Sequence, residues 1–154
     1  REAKSLFGQE TPVYYLSPQA TPLTQAKVCS LLNHASFILI TGRYEGIDQR
    51  IIDHYIDGEI SIGDYVLSGG ELAAMVVLDA VIRLIPEALG HPLSAVQDSH
   101  MHGLLDHPHY SRPPVFEGHA VPPVLQSGDH EAIRRWQQEM AIETTRQKRP
   151  DLLK

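Results

Sequence analysis

Of 154 residues, one is cysteine, Cys29. A single thiol excludes an intrachain disulfide and a thiolate zinc cluster, and fits a reducing compartment most simply. No apolar run approaches the roughly 18 residues that a membrane-spanning helix requires. Basic residues are scarce: 13 Lys and Arg stand against 19 Asp and Glu, a formal net charge of −6. Indiscriminate nucleic-acid binding works through a broadly basic surface, so this balance argues against it while leaving room for a local basic patch. The phosphate loop is missing, because no glycine-lysine-serine/threonine follows the required spacing, and so is the glycine triplet of dinucleotide sites. No internal repeat, low-complexity tract or secretory signal pattern is visible. The chain opens on Arg1, not methionine, which gives the expectation that residues precede it.

What is present suits one domain, or one domain with an appendage. "PVYYLS" (12–17) is β-rich and stops at Ser17-Pro18. In "PLTQAKVCSLLNH" (22–34), Leu23, Ala26, Val28, Leu31 and Leu32 fall at helical spacing. "SFILIT" (36–41) is continuously apolar, the pattern of a strand buried on both faces of a parallel sheet. "GIDQRIIDHYI" places Ile47, Ile51 and Tyr55 at four-residue steps and predicts a short helix. "EISIGDYVLSGG" (59–70) is strand-like and ends in paired glycines, and "ELAAMVVLDAVIRLI" (71–85) predicts a helix that stops at Pro86. Strands alternating with helices give an α/β fold with a mostly parallel sheet. From Pro86 to Pro123 that pattern breaks: seven of the eleven prolines and six of the nine histidines fall there, which predicts a linker and irregular structure. Helix returns over 127–145, capped by Ser127 or Asp129. Its tail, "RQKRPDLL", is basic and offers another helix start at Pro150.

Three segments share one feature. "YLSPQ" (15–19), "TGRYEG" (41–46) and "SIGDYVLSGGEL" (61–72) each close an apolar strand with small or turn-forming residues. Ligands of open α/β sheets bind beyond the carboxyl ends of the strands, and glycine there lets the backbone approach a ligand closely. Each loop alone reads as an ordinary strand-to-helix turn; three together point to one pocket.

These loops, with "DAVIRLIP", "LLDHPHYSRPP" and "VPPVLQSGDHEAIRRW", resemble the bacterial tRNA (guanine-N1)-methyltransferases of the SPOUT, trefoil-knotted class. The resemblance runs from about Tyr14 to the C-terminus; the family's further N-terminal strand and glycine-rich substrate loop are not in this chain. It implies a knotted domain binding S-adenosylmethionine over 1–86, an interdomain linker over 87–110 and a small helical tRNA-binding domain over 111–154. The cofactor contacts it implies are Tyr15, Leu16, Ser17, Pro18, Gly42, Tyr44, Glu45, Ser61, Ile62, Gly63, Asp64, Tyr65, Val66, Leu67, Gly69 and Gly70. Arg43, Asp48 and Arg50 receive no role; solvation and pairing across a dimer interface both stay open.

The implied reaction moves a methyl group from S-adenosylmethionine to N1 of the guanosine just 3′ of the anticodon. Guanine N1 must lose its proton to attack, and a carboxylate serves as general base. Charge then builds on O6, where an arginine is suited to receive it. By resemblance the base is Asp98 and the arginine Arg83. Spacing identifies neither: Asp98 also reads as a solvated linker acid or a helix cap with Ser99, and Arg83 as the partner of Asp79 one helical turn earlier. Ser99, Arg112, Arg134 and Arg135 are the implied tRNA contacts, with Arg146, Lys148 and Arg149 as further phosphate candidates; a solvated helix face is the alternative for the helical arginines. Trp136 reads as core.

"HMHGLLDHPH" offers His100, His102, His107 and His109 beside Asp98 and Asp106, all competent metal ligands, yet in an expected linker without a fixed element to present them. The sequence therefore predicts no metal site there. Magnesium, which the resemblance brings with it, would use Glu45, Asp98 or Asp106. A cytoplasmic homodimer is implied, with no membrane partner. Two other readings stay open: a knotted methyltransferase with a different RNA target, and a binding module that keeps the cofactor pocket without activity.

Overall fold

The strand with the richest β composition, "VYYL", becomes the centre of the sheet. In a computed structural model, which describes residues 2–43, 45–88 and 98–153, all four residues of β1 (Val13–Leu16) are buried. β2 (Ile38–Thr41) and β3 (Gly58–Ile60) flank it in the order β2-β1-β3, both parallel to it. Val13 pairs with Ile38 and Leu16 with Thr41 on one side; Tyr14 pairs with Gly58 and Leu16 with Ile60 on the other. Gly58 is the residue that fits beneath Tyr14, since a Cβ there would stand 3.2 Å from the ring.

The chain divides into two compact units, Arg1–Pro92 and Leu93–Lys154, each described by itself. In the first unit, α1 (Glu2–Phe7) precedes the sheet, a helix the sequence reading did not anticipate. Its Lys4 reaches Asp57, whose Oδ2 also accepts the Val13 N–H at 2.8 Å. That N–H, followed by Lys4, outweighs burial and holds the Asp57 carboxyl below its usual range. α2 (Gln25–Leu31) starts at Thr24, whose hydroxyl accepts the Lys27 N–H, and buries Val28 and Leu31. α3 (Gln49–Tyr55) is capped by Asp48, and α4 (Glu71–Ile82) follows Gly70. Ala73, Val77 and Val81 recur every four residues and form the buried stripe of α4. They join Tyr14, Leu16, Val28, Leu31 and Ile60 in one apolar cluster.

Three expectations are corrected. The "SFILIT" strand is half-buried, not buried on both faces, because β1 holds the centre and β2 has β1 as its one strand neighbour among the described residues. The strand expected over 59–70 ends at Ile60. The Ser61 hydroxyl there accepts the Gly63 N–H, and Gly63 adopts φ +147°, so the chain turns away from the ladder. α4 ends at Ile82 with Arg83 as its C-cap, short of Pro86.

In the second unit, the stretch expected to be irregular contains an antiparallel hairpin of β4 (Val115–Phe116) and β5 (His119–Ala120). Glu117 and Gly118 both take positive φ, 49° and 83°, as a tight two-residue hairpin turn requires. A 3-10 turn, Pro123–Gln126, leads to α5 (His130–Lys148). Asp129 is the cap, accepting from Glu131 N and Ala132 N at 3.0 Å each. α5 outlasts the expected end at Thr145, and the start expected at Pro150 is a 3-10 turn, Pro150–Leu153.

Thr145 is fully buried; its hydroxyl donates to Ala141 O at 2.7 Å and accepts Leu105 N at 2.9 Å. Replacing that oxygen by a methyl leaves the Leu105 N–H unpaired, which costs about 1–3 kcal/mol. Thr145→Val is therefore expected to lower the stability of the second unit by that amount, read from denaturant unfolding followed by the fluorescence of Trp136, the sole tryptophan.

Candidate functional site

β1, β2 and β3 run parallel, so their carboxyl ends open on the same edge of the sheet. There the three loops meet around one cleft of about 290 Å³. Tyr15, Leu16, Ser17 and Pro18 line it from the end of β1, and Gly42 and Glu45 from the end of β2. Ser61, Ile62, Gly63, Tyr65, Val66, Leu67, Gly69 and Gly70 line it from the end of β3. Of the expected set, Tyr44 lies outside the described residues, and Asp64 is exposed and is not among the lining residues.

Backbone hydrogen bonds fix these loops. Ser17 N donates to Ile60 O at 3.1 Å, and Gln19 N to the Ser17 hydroxyl. Ser61 is buried; its N–H donates to Thr21 O and its carbonyl accepts Leu23 N at 2.7 Å. The long loop after β3 then returns to β2: Gly70 N donates to Gly42 O at 3.0 Å, and Arg43 and Gly69 form an antiparallel bridge. A Cβ on Gly70 would stand 3.1 Å from Thr41 Cα and 3.2 Å from Gly42 N, so glycine is what permits the approach. Gly42 has a similar need with a different neighbour. Its Cβ would meet Tyr15 Oη at 2.8 Å, so the bare backbone makes room for the Tyr15 ring.

The sequence reading missed several lining residues, among them Gln19, Arg43, Gln49, Ile52 and Glu59. Strand alternation carried a usable signal for Glu59, which pairs in register with Tyr15. Gln49 and Ile52, three apart on α3, share a helix face. Arg43 forms an ion pair with Glu71 at 2.6 Å across the mouth of the loops. The Glu71 backbone N–H, and then Arg43, hold that carboxyl below its ordinary range. Asp48 and Arg50 pair with each other at the start of α3, and the Arg50 guanidinium, then its backbone N–H, lowers the Asp48 carboxyl. All three residues left without a role thus have partners within the chain.

Arg83 caps the exposed end of α4 and is not among the cleft-lining residues. In the second unit, Asp98 is half-buried in a turn and its carbonyl accepts Met101 N. The Ser99 hydroxyl accepts Asp106 N at 2.9 Å. Arg112 borders a separate hollow of about 570 Å³ with Tyr110, Val121 and Gln137. Arg134 and Arg135 are exposed on α5. Trp136 is half-buried, with the rings of His107 and Tyr110 each 6.3 Å from its own, so it packs against side chains without being part of a buried core.

Comparison with known proteins agrees with the resemblance seen in the loops. The model of the family described as tRNA (Guanine-1)-methyltransferase TrmD matches residues 2–154. Curated proteins named tRNA (guanine-N(1)-)-methyltransferase are similar over nearly the whole chain. That of Alcanivorax borkumensis is 59% identical over 99% of this chain and 58% of its own length. Those of Stutzerimonas stutzeri and Idiomarina loihiensis are 57% and 56% identical, over 61% and 60% of their own lengths. The chain thus spans about three-fifths of the curated relatives it matches. With a family match over residues 2–154 and relatives more than half identical, the chain belongs to the tRNA (guanine-1)-methyltransferase family.

Proposed function

We propose that the protein transfers a methyl group from S-adenosylmethionine to N1 of the guanosine 3′-adjacent to the anticodon of tRNA. The observation that carries this reading is the meeting of three strand ends around one cleft. Its about 290 Å³ lies at the small end of small-molecule pockets, roughly 300–1,000 Å³. The site fits a cationic nucleoside: Leu16, Ile62 and Leu67 give apolar walls, glycine backbone gives close polar contacts, and the carboxylates of Glu45 and Glu59 suit positive charge. The knot expected for the SPOUT class belongs to this proposal; the return of the 61–70 loop onto Gly42 supports it.

When bound, the donor supplies a methyl sulfonium, an electrophile that needs no metal for transfer. The chain's own work is to hold it in the cleft and to ready the acceptor. Asp98 takes the N1 proton, an effect worth roughly 10²–10⁴-fold in rate. Arg83 faces the charge that grows on O6. Ser99, Arg112, Arg134 and Arg135 hold the tRNA, through the linker (87–110) and the helical domain (111–154), while 1–86 forms the donor domain. Oxygen ligands suit magnesium. Among the described residues, however, the one cluster of three metal-competent side chains is Asp106 with His107 and His109, whose imidazoles do not suit that ion, so no step runs through it.

The active form is a cytoplasmic homodimer. Each site uses the cleft of one subunit with Asp98 and the C-terminal residues of the other. α4 supports the dimer: beyond its buried stripe, Leu72, Met75, Val76 and Ile82 are 58%, 64%, 47% and 51% exposed. A helix apolar on all sides is normally covered on all sides.

Three measurements test this reading in the full-length enzyme. Asp98→Asn is expected to keep donor affinity and lose at least about 10²-fold in turnover; near-normal turnover removes Asp98 as the base. Gly42→Val forces the Tyr15 ring out of place and is expected to abolish donor binding in calorimetry; unchanged affinity takes Gly42 out of the site. Met75→Lys is expected to shift the sedimentation profile from dimer to monomer, and a persistent dimer argues for another interface.

A further inference from the structure

The second unit gathers a carboxylate and two imidazoles that the proposed transfer does not use. The ligand-capable atoms of Asp106, His107 and His109 lie within 4.8 Å of one another. His109 Nε2 is 2.8 Å from Asp106 Oδ2, and His107 Nε2 is 3.7 Å from Asp106 Oδ1. Zinc holds such atoms at about 2.0–2.2 Å, which sets tetrahedral ligand atoms roughly 3.3–3.5 Å apart. The observed spacings bracket that range.

A second observation concerns the tautomer of His107. Its Nδ1 is 3.1 Å from Pro108 O. A carbonyl can only accept, so Nδ1 carries the hydrogen, and in the neutral ring Nε2 is left with a bare lone pair. That lone pair faces a carboxylate. Two electron-rich groups so placed repel unless a cation stands between them. An imidazole that donates its far N–H to a backbone carbonyl is the usual arrangement of a metal-bound histidine.

The set is also held in place. Asp106 N donates to Ser99 Oγ, the His107 N–H donates to Asp106 Oδ1 at 2.7 Å, and Leu105 N is tied to buried Thr145 on α5. The His107 ring packs edge-on to Trp136.

We infer that Asp106, His107 and His109 form a binding site for a borderline divalent transition metal of the zinc class, with one coordination position left to solvent. Two imidazoles and one carboxylate match zinc and select against magnesium and calcium, which take oxygen ligands. The ion would fasten the 106–109 segment and stabilise the second unit when bound. This inference does not depend on the proposed reaction.

The test is zinc titration of the intact, chelator-treated chain by calorimetry, with thermal unfolding alongside. One equivalent per chain and a raised melting temperature are expected. Loss of an outer-shell partner alone weakens metal sites 10–100-fold, so His107→Gln and His109→Gln are each expected to bind at least about tenfold more weakly. His102→Gln is expected to bind as the parent chain does. No zinc uptake, or uptake that survives both ligand variants, overturns the site. Should a ligand variant fail to fold, cobalt titration of the parent chain decides: a visible ligand-field spectrum of a low-coordinate histidine site supports the inference, and its absence overturns it.

Discussion

Backbone rests directly on backbone where Gly70 meets Thr41 and Gly42, and the cleft depends on that contact. The loop after β3 carries nine of the lining residues and has little regular structure of its own. Its shape comes from being pinned at both ends. Near β3, Ser61 exchanges hydrogen bonds with the chain at Thr21 and Leu23. At the far end, Gly70 donates to Gly42 and Arg43 pairs with Glu71. Within the loop, Tyr65 N donates to Gly63 O and the Tyr65 hydroxyl to Ile62 O, and Tyr65, Val66 and Leu67 line the cavity while more than a third exposed. The ion pair at the mouth is exposed on both sides and adds little by itself, on the order of 0–1 kcal/mol. The backbone contacts set the geometry.

The second unit is organised differently. Among its described residues there is no buried sheet, and its hairpin is exposed. α5 is the element around which it forms, and the buried Thr145 hydroxyl links α5 to the segment at Leu105. The next four residues deliver Asp106 and the histidines His107 and His109, so the polar cluster is placed by a hydrogen bond to a helix rather than by a strand or helix of its own. Clustered imidazoles in an irregular stretch can therefore have defined geometry.

Much of the first unit was legible in the sequence because its cues are local. "VYYL" and "SFILIT" announced strands, the run of helix formers from Glu71 up to the stop at Pro86 a helix, and the turn-forming loops a common pocket. Which strand sits at the centre was not legible, since composition favours "SFILIT" as the more apolar run while pairing decides burial. The 59–70 segment misled for a related reason. Its alternating apolar residues suit a strand, but Gly63 and the Ser61 hydroxyl redirect the backbone after Ile60. Glu59, Ile52 and Gln49 entered the cleft unannounced because their positions follow from strand register and helix placement. The hairpin turn at Glu117-Gly118 was readable in principle, but two-residue strands leave almost no periodicity to detect.

The position of β1 has a consequence for how the chain matures. Tyr14 and Leu16 belong to the same cluster as Val77 and Val81, near the other end of the unit. β1 also finds its two partners 25 and 44 residues further on, at the Val13–Ile38 and Tyr14–Gly58 pairs. Contacts so distant in sequence slow folding, because long loops must close before burial rewards them. On the ribosome, at roughly 5–20 residues per second, β1 must wait several seconds for α4 to emerge. Through that interval a run as apolar as "VYYL" is open to the wrong neighbour, which makes nascent-chain protection at β1 a requirement of this topology.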